Sequence, residues 1–157
     1  MSDRTQEQEF LGIENLNSLQ YDSFLNFIFA YGHIDHKTYE ISKDFSITLK
    51  CLTSAENIEV SRTLDNESSL ITKQLILKIE TLARAIVKIN GNLLRFPDKM
   101  IDEWREFRGV KDSPSEVEQQ RFLLRYRILP HLLNEMYERY IELLKEQDEK
   151  FSELKKK

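Results

Sequence analysis

The spacing of apolar residues changes along the chain and predicts a mainly helical protein with a small β element. Apolar and polar side chains alternate through most of residues 37–52, which is the two-residue period of half-buried strands. Residues 42–44 can turn the chain between two such strands. The apolar residues of 67–87 recur mostly every three or four positions, which is the period of one helix face. We therefore expect a β-hairpin packed against helices.

Short-range signals at the ends of the elements predict where helices begin and turns form. Thr53 and Glu56 have the spacing of a capping box, so a helix should cover residues 54–64. In that motif the Thr hydroxyl accepts from the Glu amide, and the carboxylate returns the bond. Asn90-Gly91 is the favoured centre of a type I′ turn, because both residues tolerate positive φ. A tight turn or small hairpin should therefore follow the long helix.

Proline and glycine divide the second half of the chain. A helix should begin at Pro97-Asp98 and end before Gly109, since glycine readily ends a helix. Ser113, followed by a proline at the first helical position, predicts the start of the next helix. Pro130 lacks a backbone donor and should kink or divide this long helix.

These elements predict a fold class that is mainly α with a small β-hairpin element. A central helical unit is joined to a long C-terminal helix kinked near Pro130. The polar residues before the last helices predict a linker with few contacts to the centre. The predicted segments are a flexible N-terminal stretch at 1–20, a central α and β-hairpin domain at 21–108, a linker at 109–114 and a C-terminal helical arm at 115–157.

Two helical segments carry more large apolar side chains than one buried face needs. The first covers about residues 21–31 and is apolar on more than one face, and the second follows Pro130. Aromatic residues and methionine are enriched at the cores of protein interfaces, so both segments are predicted to bind a partner. The candidate residues are Phe24, Phe27, Phe29, Tyr31, Leu132, Met136, Tyr137, Tyr140 and Leu144.

Composition supports a globular helical protein and argues against nucleic acid as a partner. Hydrophobic residues make up 40% of the 157 residues and charged residues 32%, with only four glycines and three prolines. That is typical of long helices rather than of a β-sandwich. The net charge is −4, whereas duplex DNA binders normally present a basic face.

The sequence also points to a reducing compartment and away from membranes. Cys51 is the only cysteine, so an intramolecular disulfide is excluded. Residues 1–9 are polar and acidic and do not have the pattern of a signal peptide. The longest apolar runs are far shorter than the ~20 residues a transmembrane helix needs. We expect no membrane partner and synthesis in the cytoplasm.

Motifs that would indicate an enzyme or a cofactor are absent from the sequence. There is no glycine-rich phosphate loop, nucleophile elbow or HExxH motif. The segment His33-Ile34-Asp35-His36 has metal-ligand residue types, but three ligands on one short loop form a poor cage, and a polar turn is favoured. No base is placed beside Cys51, which favours a buried structural thiol. We therefore predict no cofactor, no metal and no enzymatic activity, with an enzyme of unrecognised site as an alternative.

One basic cluster leaves a nucleic-acid-binding regulator as an alternative. Residues 121–127 interleave three arginines with Phe122 and Tyr126, a mixture that could stack bases and bind phosphates. Arg121 is expected to pair with Glu118, three residues earlier on the same helix face. A solvated helix face beside a core stripe is therefore the favoured interpretation.

Two junctions in the middle of the chain carry a family resemblance. They are the strand-to-helix junction "LTSAENIEVSRTL" and the helix-to-turn junction "LARAIVKINGNLL". The matching positions are Leu52, Thr53, Glu56, Leu82, Ala83, Ala85, Ile86, Ile89 and Gly91. This pattern resembles small tail proteins of tailed bacteriophages, a group that includes tail assembly chaperones and small baseplate or hub components. The resemblance is confined to residues 45–94 and rests on apolar and turn positions.

The resemblance implies a non-enzymatic structural or assembly protein of a phage tail, most readily at the baseplate or hub. Its partners would be other phage tail or baseplate proteins, and a second copy of the chain is a further candidate. The protein would reside in the tail of the virion after synthesis in the bacterial cytoplasm. The alternatives are a tail assembly chaperone absent from the mature virion and the nucleic-acid-binding regulator.

Overall fold

The computed structural model describes residues 17–20, 22–23, 36–93 and 95–156. The chain divides into two compact units, Met1–Ile34 and Asp35–Lys157. In the first unit, the side chains of Asn17 and Gln20 each accept from the other's backbone N–H, at 2.9 and 3.1 Å. The candidate residues Phe24, Phe27, Phe29 and Tyr31 lie outside the described residues.

The second unit confirms the predicted fold class, mainly α with a small β element. Its strands are β1 (Lys37–Ser42), β2 (Phe45–Leu49) and β3 (Ile86–Ile89). Its helices are α1 (Ser54–Leu64), α2 (Leu70–Ala85), α3 (Asp98–Arg108), α4 (Glu116–Tyr126) and α5 (Pro130–Lys155).

The three strands form one antiparallel sheet in the order β1-β2-β3. The hairpin of β1 and β2 is the predicted one. β3 is a third strand that the sequence does not predict, because the helical period of apolar residues continues to position 87. Ile86 leaves the helix instead and pairs with Leu49, while Ile89 pairs with Ile47. β-branched residues fit a pleated sheet well, so the helix ends two residues earlier than its periodicity predicts.

Most of the short-range signals are confirmed. Thr53 caps α1 in a complete capping box, and Asn90 and Gly91 both have positive φ in the turn after β3. Pro130 begins α5, so the long helix is divided there. The cap of α4 was assigned wrongly, because Ser115 rather than Ser113 accepts from the backbone and completes a capping box.

The main core lies between the sheet and the helices α2, α4 and α5. It contains the fully buried side chains Ile47, Leu49, Leu82, Leu124, Met136 and Leu143. α5 is anchored further where the backbone N–H of Leu52 donates to the Tyr140 hydroxyl at 3.4 Å, and where Lys37 of β1 binds Glu146. The prediction of a separate C-terminal arm beyond a linker is therefore wrong, because α5 supplies one wall of the core.

Within the described ranges, every helix is too short or too polar to span a lipid bilayer.

Two adjacent leucines of α5 provide a test of its place in the core. Leu143 is 1% exposed, whereas Leu144 is 38% exposed. Leu143→Ala should lower the free energy of unfolding by about 2–5 kcal/mol, because it removes buried methyl groups and leaves a cavity. Leu144→Ala should cost much less, and urea denaturation of both variants measures the difference. Equal costs would contradict the packing of α5.

The turn after β3 provides a second test. Gly91 has φ +76°, and a Cβ added there would meet no neighbouring atom, so only backbone strain opposes a side chain. Gly91→Ala should cost about 1 kcal/mol, and Gly91→Asn should cost less because asparagine adopts positive φ more readily. Thermal melting of the two variants checks this order. If alanine and asparagine are tolerated equally, backbone strain does not limit the turn.

Candidate interaction surface

The structure does not bring the predicted anchors of the last helix together on a surface. Met136 and Tyr140 are buried in the main core, so they are unavailable to a partner and this prediction is wrong for both. Leu132 and Tyr137 are partly buried against the same core, with the Lys78 ammonium 5.9 Å from the centre of the Tyr137 ring. Of the five predicted residues on α5, Leu144 alone is exposed.

A different set of apolar side chains is exposed between α3 and α4. Phe107 is 60% exposed and Tyr126 is 50% exposed, and their ring centres lie 5.3 Å apart. Both rings also contact the buried Phe122, at 6.2 and 5.2 Å. We call these three residues the aromatic patch. It places two large, half-exposed rings side by side on two different helices.

Helix periodicity explains how the sequence forms this patch. Trp104 and Phe107 lie three residues apart on α3, and Phe122 and Tyr126 lie four apart on α4, so each pair shares one helix face. Trp104 and Phe122 are buried with Phe96 in a second, smaller hydrophobic cluster. Phe107 and Tyr126 extend these two faces outwards, so one side of each ring contacts Phe122 and the rest of it is exposed.

α3 is attached to the rest of the unit mainly through side chains rather than by close backbone packing. Arg127 binds Glu103 of α3 at 2.6 Å. The backbone N–H of Phe96 donates to the Gln119 side chain of α4 at 2.9 Å. This arrangement leaves a small open pocket between the faces of the two helices. Aromatic rings and arginine side chains make up most of its lining.

Arg121, on the rim of this pocket, is held by a buried carboxylate. Its Nε and one terminal nitrogen bind the two oxygens of Glu80 at 2.6 and 2.9 Å. Arg84 binds the same carboxylate at 2.7 Å. The predicted pair with Glu118 is wrong, because the carboxylate of Glu118 instead accepts from the backbone N–H of Ser115 at 3.0 Å. Arg121 therefore joins α4 to α2 and is not a free cation.

The electrostatics of this buried group follow from its partners. Burial by itself raises the pKa of Glu80, but hydrogen bonds from Arg121 and Arg84, together with their charges, outweigh it and hold the pKa below its ordinary value. The carboxylate in turn raises the pKa of Arg121. Glu80 and Arg121 are therefore both charged near neutral pH.

Two other arginines on the pocket lining have no carboxylate partner. Within the described part of the chain, neither Arg108 nor Arg125 forms an ion pair. The guanidinium of Arg125 lies 6.0 Å from the centre of the Tyr126 ring, within cation–π range. The basic cluster at 121–127 thus leaves one free cation rather than three. That is a weak basis for phosphate binding.

Among the described residues, the remaining candidates for chemistry do not form a site. His36 is exposed, the other residues of its predicted turn lie outside the described ranges, and no cluster of metal-ligand residues occurs among those described. Cys51 is half-buried and packs against the main core. This is close to the structural thiol that the sequence predicted.

Comparison with known proteins adds no relative. No protein-family model matches the sequence, and no curated protein or solved structure matches the chain. The resemblance to phage tail proteins stays a prediction.

Phe107 is not among the residues predicted to bind a partner, although the sequence contains a signal for it. Phe107 lies three residues after Trp104, in the last turn of α3, which Gly109 terminates. Tyr126 is the last residue of α4. A large apolar side chain in the last turn of a short helix has few covering neighbours. The position of an apolar residue within its helix therefore indicates its exposure better than the number of apolar residues in that helix does.

The buried ion pairs predict a pH-dependent stability. The pKa of Glu80 is lower in the folded protein than its ordinary value of 4.5. The ionised carboxylate therefore stabilises the folded state fully above pH 4.5, and this stabilisation is lost as the pH falls through the folded pKa. Glu80→Gln should lower the free energy of unfolding by about 3 kcal/mol at neutral pH and flatten its decline in acid.

The matched control is Glu59→Gln. Glu59 also binds Arg84, at 3.1 Å, but its side chain is largely exposed, so its loss should cost less than about 1 kcal/mol. Chemical denaturation between pH 3 and pH 7, roughly the window in which a carboxylate titrates, measures both variants. A Glu80→Gln protein that is as acid-sensitive as the parent would show that another group controls the pH dependence.

Proposed function

We propose that this chain is a non-enzymatic protein-binding module that docks a partner protein on the aromatic patch. The observation that carries the proposal is the exposure of Phe107 and Tyr126 side by side. Water solvates such rings poorly, and covering them stabilises a complex in proportion to the apolar area removed. Tyrosine, phenylalanine and arginine are enriched at interface cores, and this pocket combines all three.

The setting we propose is the tail of a bacteriophage. The chain would act as a structural or assembly protein at the baseplate or hub and reside in the virion, with other tail or baseplate proteins as partners. The support is the resemblance carried by residues 45–94, which form β2, α1, α2 and β3. The aromatic patch lies outside that stretch, on α3 and α4. In this proposal the resembling part is the scaffold, and the added helices select the partner.

A tail assembly chaperone would use the same surface but leave the finished particle. Mass spectrometry of purified virions separates the two roles, because a resident component is present in a fixed ratio to other tail subunits. The nucleic-acid regulator is disfavoured by the net charge of −4 and by the engagement of Arg121 and Arg127 with carboxylates.

A photo-crosslinking amino acid placed at a single position tests where the partner docks. With the crosslinker replacing Phe107, cells that assemble tails should yield a covalent adduct with a tail or baseplate subunit. The matched control replaces Phe151, which is 40% exposed near the end of α5. Mass spectrometry identifies the adducts. No adduct at position 107, or equal adducts at both positions, would contradict docking on the aromatic patch.

A further inference from the structure

We propose that the occupant of the aromatic patch is an acidic amphipathic helix of a partner protein. This inference rests on the proposed function and specifies the chemistry of the partner. An apolar side chain of the partner would enter the pocket beside Phe107 and Tyr126. Carboxylates one helical turn to either side would reach Arg108 and Arg125.

The shape of the site favours a helix over a flat surface. Two helices, joined mainly through side chains, leave an open pocket between their facing sides. An amphipathic helix fills such a groove with anchors spaced three or four residues apart. The rings of Phe107 and Tyr126 meet edge to face at 66°, so they present a ridge rather than one flat platform. A ridge suits the branched side chains of a helix better than it suits stacked bases.

The charges favour an acidic partner. Three arginines near the pocket already bind carboxylates of this chain: Arg105, Arg121 and Arg127. Arg108 and Arg125 are the ones on the pocket lining that are left without such a partner in the described ranges. The one carboxylate on that lining, Glu118, already accepts from the backbone N–H of Ser115. Two unpaired cations beside an apolar surface complement carboxylates placed beside an apolar anchor. They are too few to supply the phosphate neutralisation on which nucleic-acid affinity depends.

The probes are two synthetic amphipathic helical peptides with the same leucine and phenylalanine face. One carries glutamates beside that face and the other carries lysines at the same positions. Fluorescence anisotropy measures the binding of each peptide to the full chain. The glutamate peptide should bind at least about tenfold more tightly than the lysine peptide, and this preference should shrink at high salt.

Charge reversal provides the decisive comparison. In the double variant Arg108→Glu/Arg125→Glu the preference should invert, so that the lysine peptide binds more tightly than the glutamate peptide. The matched control Arg62→Glu reverses an exposed arginine on α1 and should leave the preference unchanged. Circular dichroism confirms that each variant folds. A gain in affinity for the lysine peptide cannot come from a general loss of structure in the double variant.

The outcomes separate this inference from the proposed function. Equal binding of both peptides, abolished by Phe107→Ser, would overturn the acidic partner while supporting docking on the patch. Binding that is unaffected by Phe107→Ser would overturn both. Tighter binding of a single-stranded oligonucleotide than of the glutamate peptide would also overturn the inference. So would a dimer in sedimentation that Phe107→Ser disperses, because a second copy would then be the occupant.

Discussion

The arrangement of the helices depends on the carboxylate of Glu80, which is buried between α2 and α4. A charge out of water must be compensated by partners in good geometry, and here Arg121 and Arg84 both bind it. Arg84 extends the link to Glu59 on α1. One buried acidic group therefore holds α2 and α4 in a fixed relation, and Arg84 adds an exposed contact to α1. Rotating α4 about its axis would leave the buried carboxylate without Arg121, so the face that α4 exposes to solvent is fixed as well.

That constraint determines where the interaction surface lies. With Arg121 directed at Glu80, the adjacent Phe122 enters the smaller hydrophobic cluster, and Tyr126, one turn later, comes beside Phe107 of α3. Gln120 adds a second tie, since its amide nitrogen donates to the backbone oxygen of Ile86 at 2.8 Å. The exposed rings are thus positioned by interactions on the adjoining face of α4. The half-exposed surface and the buried ion pair meet at Arg121, which binds Glu80 and also lines the pocket.

The parts of this fold that the sequence predicted are those decided within a few residues. The capping box at Thr53, the turn at Asn90-Gly91 and the helix break at Pro130 depend on local geometry, and each was recognised. The role of α5 and the interaction surface were not, because both depend on which helix faces meet. An apolar stripe shows that one face of a helix must be buried, but it does not show whether the protein's own core or a partner covers it. Met136 reads equally well as a docking residue or as a core residue until its neighbours are known.

The two hydrophobic clusters have a consequence for how this protein can change over generations. The smaller cluster, built around Trp104, holds α3 in place, while the larger one stabilises the sheet with α2 and α5. The two clusters meet on α4, where Phe122 belongs to the smaller one and Leu124 to the larger one. Distant substitutions act nearly independently on stability, whereas neighbouring ones couple. Residues of α3, which contribute to the smaller cluster alone, can therefore vary with a drifting partner at little cost to the framework, whereas substitutions on α4 alter the recognition surface and the scaffold together.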